Sequence, residues 1–195
     1  EAYDLYLRGL ELLRLDDKAS LAQAKEVFEQ AITIDPQFAL AHALLGQAYW
    51  QEWMGFMSTD ERTYDRAMQD AKRALAIDET LSNAHGLLSN LYMWKQQYDD
   101  AIAEAEKMLA YDPNDADGLA QLGSAMNWIG NPVEGASLIE RAMRLNPRSP
   151  SWYFVVHGHG RIVQDQFEDA IPDLKKALEE NPNFLPPHVM LTLVY

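Results

Sequence analysis

The feature that most constrains this chain is a repeat. Small residues recur inside apolar helical stretches at Gly9, Gly46, Ser89, Gly123, Gly158 and Thr192, in steps of 37, 43, 34, 35 and 34 residues. A second small series, Ala24, Ala67, Ala101, Gly135 and Ala170, steps by 43, 34, 34 and 35. Stop signals keep the same period: Asp35-Pro36, Asp112-Pro113, Asn146-Pro147 and Asn181-Pro182, with Asp78-Glu79 where a further proline would stand. A fixed period of a few tens of residues means one supersecondary unit used over and over. No single unit can bury its apolar face alone, so the copies must stack.

Each period holds two apolar stripes at helical spacing, for example Ala84, Leu88, Leu91 and Tyr92, then Ala101, Ala105 and Met108. A helix of about 12–15 residues is marginal in water, so each stripe needs a neighbour. The small residues let paired helices approach toward the short end of the usual ~8–10 Å separation. Proline after the second helix cannot extend it, because its ring fixes φ and clashes with the preceding turn. The expected fold is all-α, a solenoid of about eleven helices with no strand. One domain, 1–195, then carries repeats near 2–38, 39–81, 82–115, 116–149 and 150–184, and the first helix of a sixth at 185–195. Two turns are enlarged. Three extra residues lie near Asp16-Asp17-Lys18, where Ser20 to Gln23 has the form of a capping box. Nine more lie near Met54 to Arg62, where Ser58 to Glu61 has the same form.

The run Tyr98, Ala101, Ala105, Met108 and Pro113, after Leu88, Ser89 and Tyr92, resembles the tetratricopeptide repeat. The resemblance covers essentially the whole chain and departs at Glu79 and at the two enlarged turns. It implies a right-handed superhelix of antiparallel helix pairs that holds protein partners. Two narrower stretches, Tyr3-Asp4-Leu5-Tyr6-Leu7-Arg8-Gly9 and Asn146-Pro147-Arg148-Ser149-Pro150-Ser151-Trp152-Tyr153, are similar to the repeat region behind the catalytic domain of bacterial class III adenylate cyclases, found also on some winged-helix regulators. That likeness implies a regulatory or assembly role in a larger bacterial signalling chain, although no cyclase catalytic residue is present. The chain begins at Glu1 and stops inside the pattern, as a piece of a longer protein would.

Charge narrows the partners. Thirty acidic against sixteen basic residues leave a net charge of −14. Nucleic acid and anionic membranes need Lys and Arg against phosphate, so neither is an expected partner. No cysteine is present, which removes disulfides, thiol catalysis and thiolate metal sites. No apolar stretch approaches a membrane span and no signal peptide is seen, so the expected compartment is the cytoplasm.

Chemistry is equally sparse. His42, His85 and His188 stand four residues before Gly46, Ser89 and Thr192, where the resemblance implies a packing role. His157 and His159 are two apart, which on a helix sends them to different faces. Asp112 to Gly118 has the acidic look of a calcium loop, but Ala116, Asp117 and Gly123 occupy places that need other residues. No phosphate-binding loop, nucleophile elbow or zinc-protease motif occurs. The expectation is no catalytic residue, no metal and no cofactor.

The resemblance implies that the first helices of successive repeats line a groove. Projected onto it, the rows are Leu40, Asn83, Asp117, Trp152; Ala43, Gly86, Ala120, Val155; Leu44, Leu87, Gln121, Val156; and Gln47, Asn90, Ser124, His159. The second row is small and would leave room for a ligand backbone. Trp94 and Trp128 sit one period apart near the helix ends, and Asn127 stands beside the latter. Asn and Gln suit the backbone of an extended peptide, and Trp gives large contact area at small entropy cost. The tryptophans equally suit packing between repeats. Members of the family that grip acidic C-terminal tails use Lys and Arg here; Tyr6, Asn83, Gly86, Leu87, Trp152 and Val156 include no basic residue. The expected partner is therefore a neutral or basic extended segment of protein. Trp53, Phe56 and Met57, with Trp50 and Met54, are either a helix end folded onto the core or a second contact. His188, Leu191 and Tyr195 form a stripe on the last helix through which the chain could also pair with a second copy.

Overall fold

A computed structural model describes residues 1–15, 17–55 and 60–194. Among these lie eleven α-helices and no strand: α1 Ala2–Leu13, α2 Lys18–Ile34, α3 Ala39–Met54, α4 Glu61–Ile77, α5 Ser82–Trp94, α6 Tyr98–Tyr111, α7 Ala116–Trp128, α8 Pro132–Leu145, α9 Ser151–Val163, α10 Phe167–Glu180 and α11 Leu185–Val194. Helices α2, α4, α6, α8 and α10 stop at Asp35, Asp78, Asp112, Asn146 and Asn181, each of which leaves helical geometry at ψ 92, 101, 102, 86 and 89°. Proline restricts the residue before it to this extended region. Asp78 reaches it without proline, and the reason is visible at its side chain. Asp35, Asp78 and Asp112 each accept a bond from the backbone N–H two residues on, at 3.0, 3.0 and 2.9 Å. The aspartate makes the turn, and proline reinforces it.

Two helix starts differ from expectation. Helix α2 begins at Lys18, capped by Asp17, whose carboxylate accepts from Ala19 N and Ser20 N. Ser20 therefore does not cap; its hydroxyl donates to Asp17 at 2.6 Å. A carboxylate placed three residues upstream satisfies the free N–H groups first. Helix α4 begins at Glu61 under Asp60, which accepts from Arg62 N. Ser58 and Thr59 of the second expected box lie outside the described residues.

Two compact units divide the chain, Glu1–Trp94 and Lys95–Tyr195. In the first, Leu21, Phe28, Leu45, Tyr49, Leu88 and Leu91 form the centre of one apolar core. In the second, Leu119, Ile139, Tyr153 and Val156 do so, with Trp152 laid against them. Three pairs of the small series meet as expected. A methyl added at Gly46 would come within 3.0 Å of the Ala67 carbonyl, one at Gly123 within 3.0 Å of the Gly135 carbonyl, and one at Gly158 within 3.5 Å of the Ala170 carbonyl. Gly9 differs, because its neighbour is the ring of Phe28.

The turns after α5, α7 and α9 use the left-handed region. Gln96, Gly130 and Asp165 have φ of 58, 82 and 59°. Only glycine takes that region without penalty. Asp165→Gly should stabilise the protein by up to about 1 kcal/mol, and Gly130→Ala should destabilise it by about 1–2 kcal/mol. Urea midpoints at unchanged slope would check both signs.

The last helix carries its exposed apolar side chains at Leu185, Val189 and Leu193, 45, 51 and 69% accessible. This is not the expected stripe. Leu191 is half-buried, His188 is exposed and bound to the Pro182 carbonyl, and Tyr195 lies outside the described residues.

Candidate partner-binding surface

From α3 onward charge is sorted between the first and second helices of the repeats, whereas α1 carries Asp4, Arg8 and Glu11. Helices α3, α5, α7, α9 and α11 contain only Glu52, Asp117 and Arg161 as charged residues besides histidine. Each of the three is already engaged. Lys25 Nζ stands 2.6 Å from Glu52, Tyr153 donates its hydroxyl to Asp117 at 2.7 Å, and Arg161 Nη1 lies 3.0 Å from Asp173. Tyr153 is fully buried, and burial together with Asp117 pushes its pKa far above the usual phenol value. Most of the remaining Lys, Arg, Asp and Glu stand on the second helices, and the others lie in α1 and in the turns.

The candidate residues divide by exposure. In the first unit Asn83 is exposed, Gln47 and Asn90 are half-buried, and Trp94 is 43% accessible. In the second, Trp128 is 51% accessible while Ser124, Trp152 and His159 are half-buried. Gln121 and Asn127 are inside, at 8 and 2%. Asn127 is a structural strut. Its amide donates to the Val156 carbonyl at 2.9 Å, and its Oδ1 fills space that a methyl on Gly135 or Gly160 would occupy. The second row leaves no room for a ligand. Ala43, Gly86, Ala120 and Val155 are all buried, and in the second unit Trp152 packs over the core containing Ala120.

Trp50 and Trp53 are half-buried against the first unit's core, and their rings meet Trp94 edge-on at 6.2 and 6.3 Å. Trp53 also meets Tyr64 at 6.2 Å, and Tyr64 donates to the Leu91 carbonyl at 2.8 Å. Trp53 is thus fixed by packing, while Phe56 and Met57 lie outside the described residues.

Each histidine has a local account. His42, His85 and His188 all place Nε2 on the carbonyl six residues upstream, Pro36, Glu79 and Pro182, at 3.4, 2.8 and 2.8 Å. A carbonyl accepts, so Nε2 carries the proton, and each ring ties the turn between repeats to the helix that follows it. His42 also sets Nδ1 3.4 Å from Asp70, whose burial raises its carboxyl above the usual range. His157 lies 3.0 Å from Asp173, whereas the His159 ring meets that of Trp128 at 4.6 Å, tilted by 44°. Among the described residues no group of three His, Asp or Glu stands ready to hold a metal, and no helix is long and apolar enough to cross a membrane.

Burial lowers the His159 pKa. The charged ring is disfavoured in the fold, so the unfolded chain binds the proton first, near its ordinary value of about 6.5. Stability present above that pH is lost as pH falls through it. In His159→Phe, which keeps a ring against Trp128, melting temperature should fall less between pH 7.5 and 5.5 than in the parent. Equal falls would remove His159 from the account.

Two family models described as tetratricopeptide repeat match this chain, over residues 5–38 and 59–122. The type IV pilus assembly protein PilF of Pseudomonas aeruginosa is 28% identical over 152 residues, 77% of this chain and 56% of PilF. The chain therefore spans little more than half the length of that relative. Among solved structures, a thermophilic repeat protein of Thermus thermophilus matches with a TM-score of 0.78 at 16% identity, over 100% of this chain and 98% of that one. A structure of P. aeruginosa PilF matches with a TM-score of 0.66 at 18% identity, over 100% and 91%. At these identities the structural likeness is one of fold.

Proposed function

The chain belongs to the tetratricopeptide-repeat family, and from that premise we propose that 1–195 acts as one non-catalytic scaffold, binding a neutral or basic extended segment of a protein partner in the cytoplasm of a bacterium. The observation that carries this reading is the charge sorting. First helices that present Asn83, Asn90, Gln47, Ser124, Trp94, Trp128, Trp152 and His159 carry no unengaged charge. An acidic side chain pressed there would lose water and find no basic partner, whereas a peptide backbone would find amides. An acidic tail would in addition meet a chain of net charge −14. PilF is named for pilus assembly, and a part in assembling a larger complex suits this chain as well. A cyclase-like signalling parent is the more specific form of the proposal. It rests on Tyr3–Gly9 and Asn146–Tyr153, and the gene surrounding this stretch decides it.

The test is selection of displayed random peptides on 1–195. Neutral or basic extended sequences should be enriched, and Asn83→Ala/Asn90→Ala should weaken them roughly tenfold, as loss of two hydrogen bonds implies. Neutral winners should be insensitive to salt and basic ones weakened by it. Enrichment of acidic C-terminal peptides would overturn the proposal. A second reading, pairing of two copies through α11, is favoured by Leu185, Val189 and Leu193 exposed at i, i+4 and i+8. Sedimentation of Val189→Ser/Leu193→Ser against the parent separates it.

A further inference from the structure

One edge of the Lys95–Tyr195 unit carries the turns from α7 to α8 and from α9 to α10, and exposed apolar side chains flank both. Trp128, Ile129 and Val133 bound the turn from α7 to α8 and are 51, 46 and 71% exposed. Val163 and Phe167 bound the equivalent turn from α9 to α10 and are 40 and 41% exposed. The two turns are joined through His159, which touches Trp128 and stands one helical turn before Val163. Gly130, at the tip of the first, has open space on the side where a side chain would stand. Ile129 also walls a cavity of about 300 Å³ with Gln96, Gln97, Tyr98, Asp99 and Asp100.

Around these side chains stand exposed carboxylates: Asp99 and Asp100 on α6, Glu134 on α8, Asp165 in the turn, and Glu168 and Asp169 on α10. The basic groups nearby are spoken for. Arg161 is held by Asp173, and Lys95 has a partner of its own. Acids in the first turn of a helix need no ligand to explain them, because the helix N-terminus favours negative charge. The five apolar side chains have no such account, and exposed apolar side chains gathered on one edge within a polar rim mark an interaction surface.

The rim selects among occupants. A second copy would bring its own negative charge against this edge, as would nucleic acid, an anionic membrane or an acidic peptide. A wholly apolar segment would cover the centre and leave the carboxylates beside it desolvated without partners. We propose that this edge docks a basic amphipathic segment of another protein, its apolar face on Trp128, Ile129, Val133, Val163 and Phe167 and its lysines or arginines against the carboxylate rim. The surface shares Trp128 and His159 with the first-helix face argued above but not Asn83 and Asn90 of α5, so substitutions at those two read one without the other.

The test uses 1–195 and a helical peptide of Leu and Lys with Leu at helical spacing, beside a Leu/Glu peptide and a Ser/Lys peptide of the same charge. The Leu/Lys peptide should bind, and the other two should not. Val133→Ser/Phe167→Ser should weaken it roughly tenfold, the scale of losing central apolar contacts. Glu134→Gln/Glu168→Gln should weaken it severalfold and flatten its salt dependence. Glu179→Gln/Glu180→Gln removes the same charge from the other end of α10 and should change little. Thermal melts confirm that the variants fold; Val133→Ser alone, at the most exposed of the five positions, carries the test if the double variant does not. No binding of the Leu/Lys peptide, equal binding by the Ser/Lys peptide, or an equal loss in the Glu179/Glu180 variant would overturn the proposal. Self-association of the parent chain that Val133→Ser abolishes would overturn it too, in favour of a second copy. Asn83→Ala/Asn90→Ala should leave Leu/Lys binding intact, so failure of the first-helix reading and failure of this one are told apart.

Discussion

Gly135→Ala is expected to destabilise the protein by about 3 kcal/mol, the upper end of what one inserted methyl does in a packed interior. The new Cβ would overlap the Asn127 side-chain oxygen and come within 2.9 Å of the Gly123 carbonyl. Neither neighbour can yield. Asn127 is held by its bond to Val156, and the Gly123 carbonyl is backbone inside α7. The control is Gly158→Ala, where the closest atoms are the side-chain carbons of Leu174 at 3.1 and 3.2 Å and the nearest carbonyl is 3.5 Å away. A flexible side chain can give by tenths of an ångström, so that change should cost less than about 1 kcal/mol. Denaturant midpoints for the two variants decide it. If Gly135→Ala is no worse than Gly158→Ala, the strut described for Asn127 is not rigid.

The same residues mark what the sequence could and could not disclose. Two helices can cross closely only where both backbones carry small side chains, so the series through Gly46, Gly123 and Gly158 and through Ala67, Gly135 and Ala170 was legible as a period. The helix stops were legible for the same kind of reason, since Asp and Asn before proline favour a turn by local chemistry. Burial of a polar residue was not legible. Asn127 and Gln121 looked like groove amides because helical spacing gives a face and says nothing about what lies across it. The space for Asn127 is made by Gly135 and Gly160, one on each neighbouring helix, and only their meeting in three dimensions reveals it. The small row failed in the same way, because Ala120 lies inside the core against which Trp152 of the next repeat packs. Helix starts depend on which acceptor reaches the first N–H groups, and Asp17 lay closer in geometry than the Ser20 pattern suggested. The exposed side chains at Ile129, Val133 and Phe167 escaped notice because they flank turns, where no periodicity applies.

The largest expected effect lies in the first unit, at the pair that breaks the small-on-small rule. Gly9 meets the ring of Phe28, and that ring is fully buried within the core formed with Leu21 and Leu45. Phe28→Ala should destabilise by about 3–5 kcal/mol, through lost burial and the cavity left behind. Gly9→Ala should destabilise by about 2–3 kcal/mol for the opposite reason, since its methyl would overlap three ring carbons of Phe28. The two errors should cancel in part. Leucine at 28 removes the outer ring atoms, so Phe28→Leu alone leaves a void beside Gly9, and an alanine methyl at 9 begins to fill it. In the cycle of Gly9→Ala and Phe28→Leu, the double variant should therefore be more stable than the sum of the singles predicts, by about 1–3 kcal/mol. Strict additivity would mean that α1 shifts bodily to admit the methyl. In that event the absence of a side chain at Gly9 is not what sets the approach of α1 to α2.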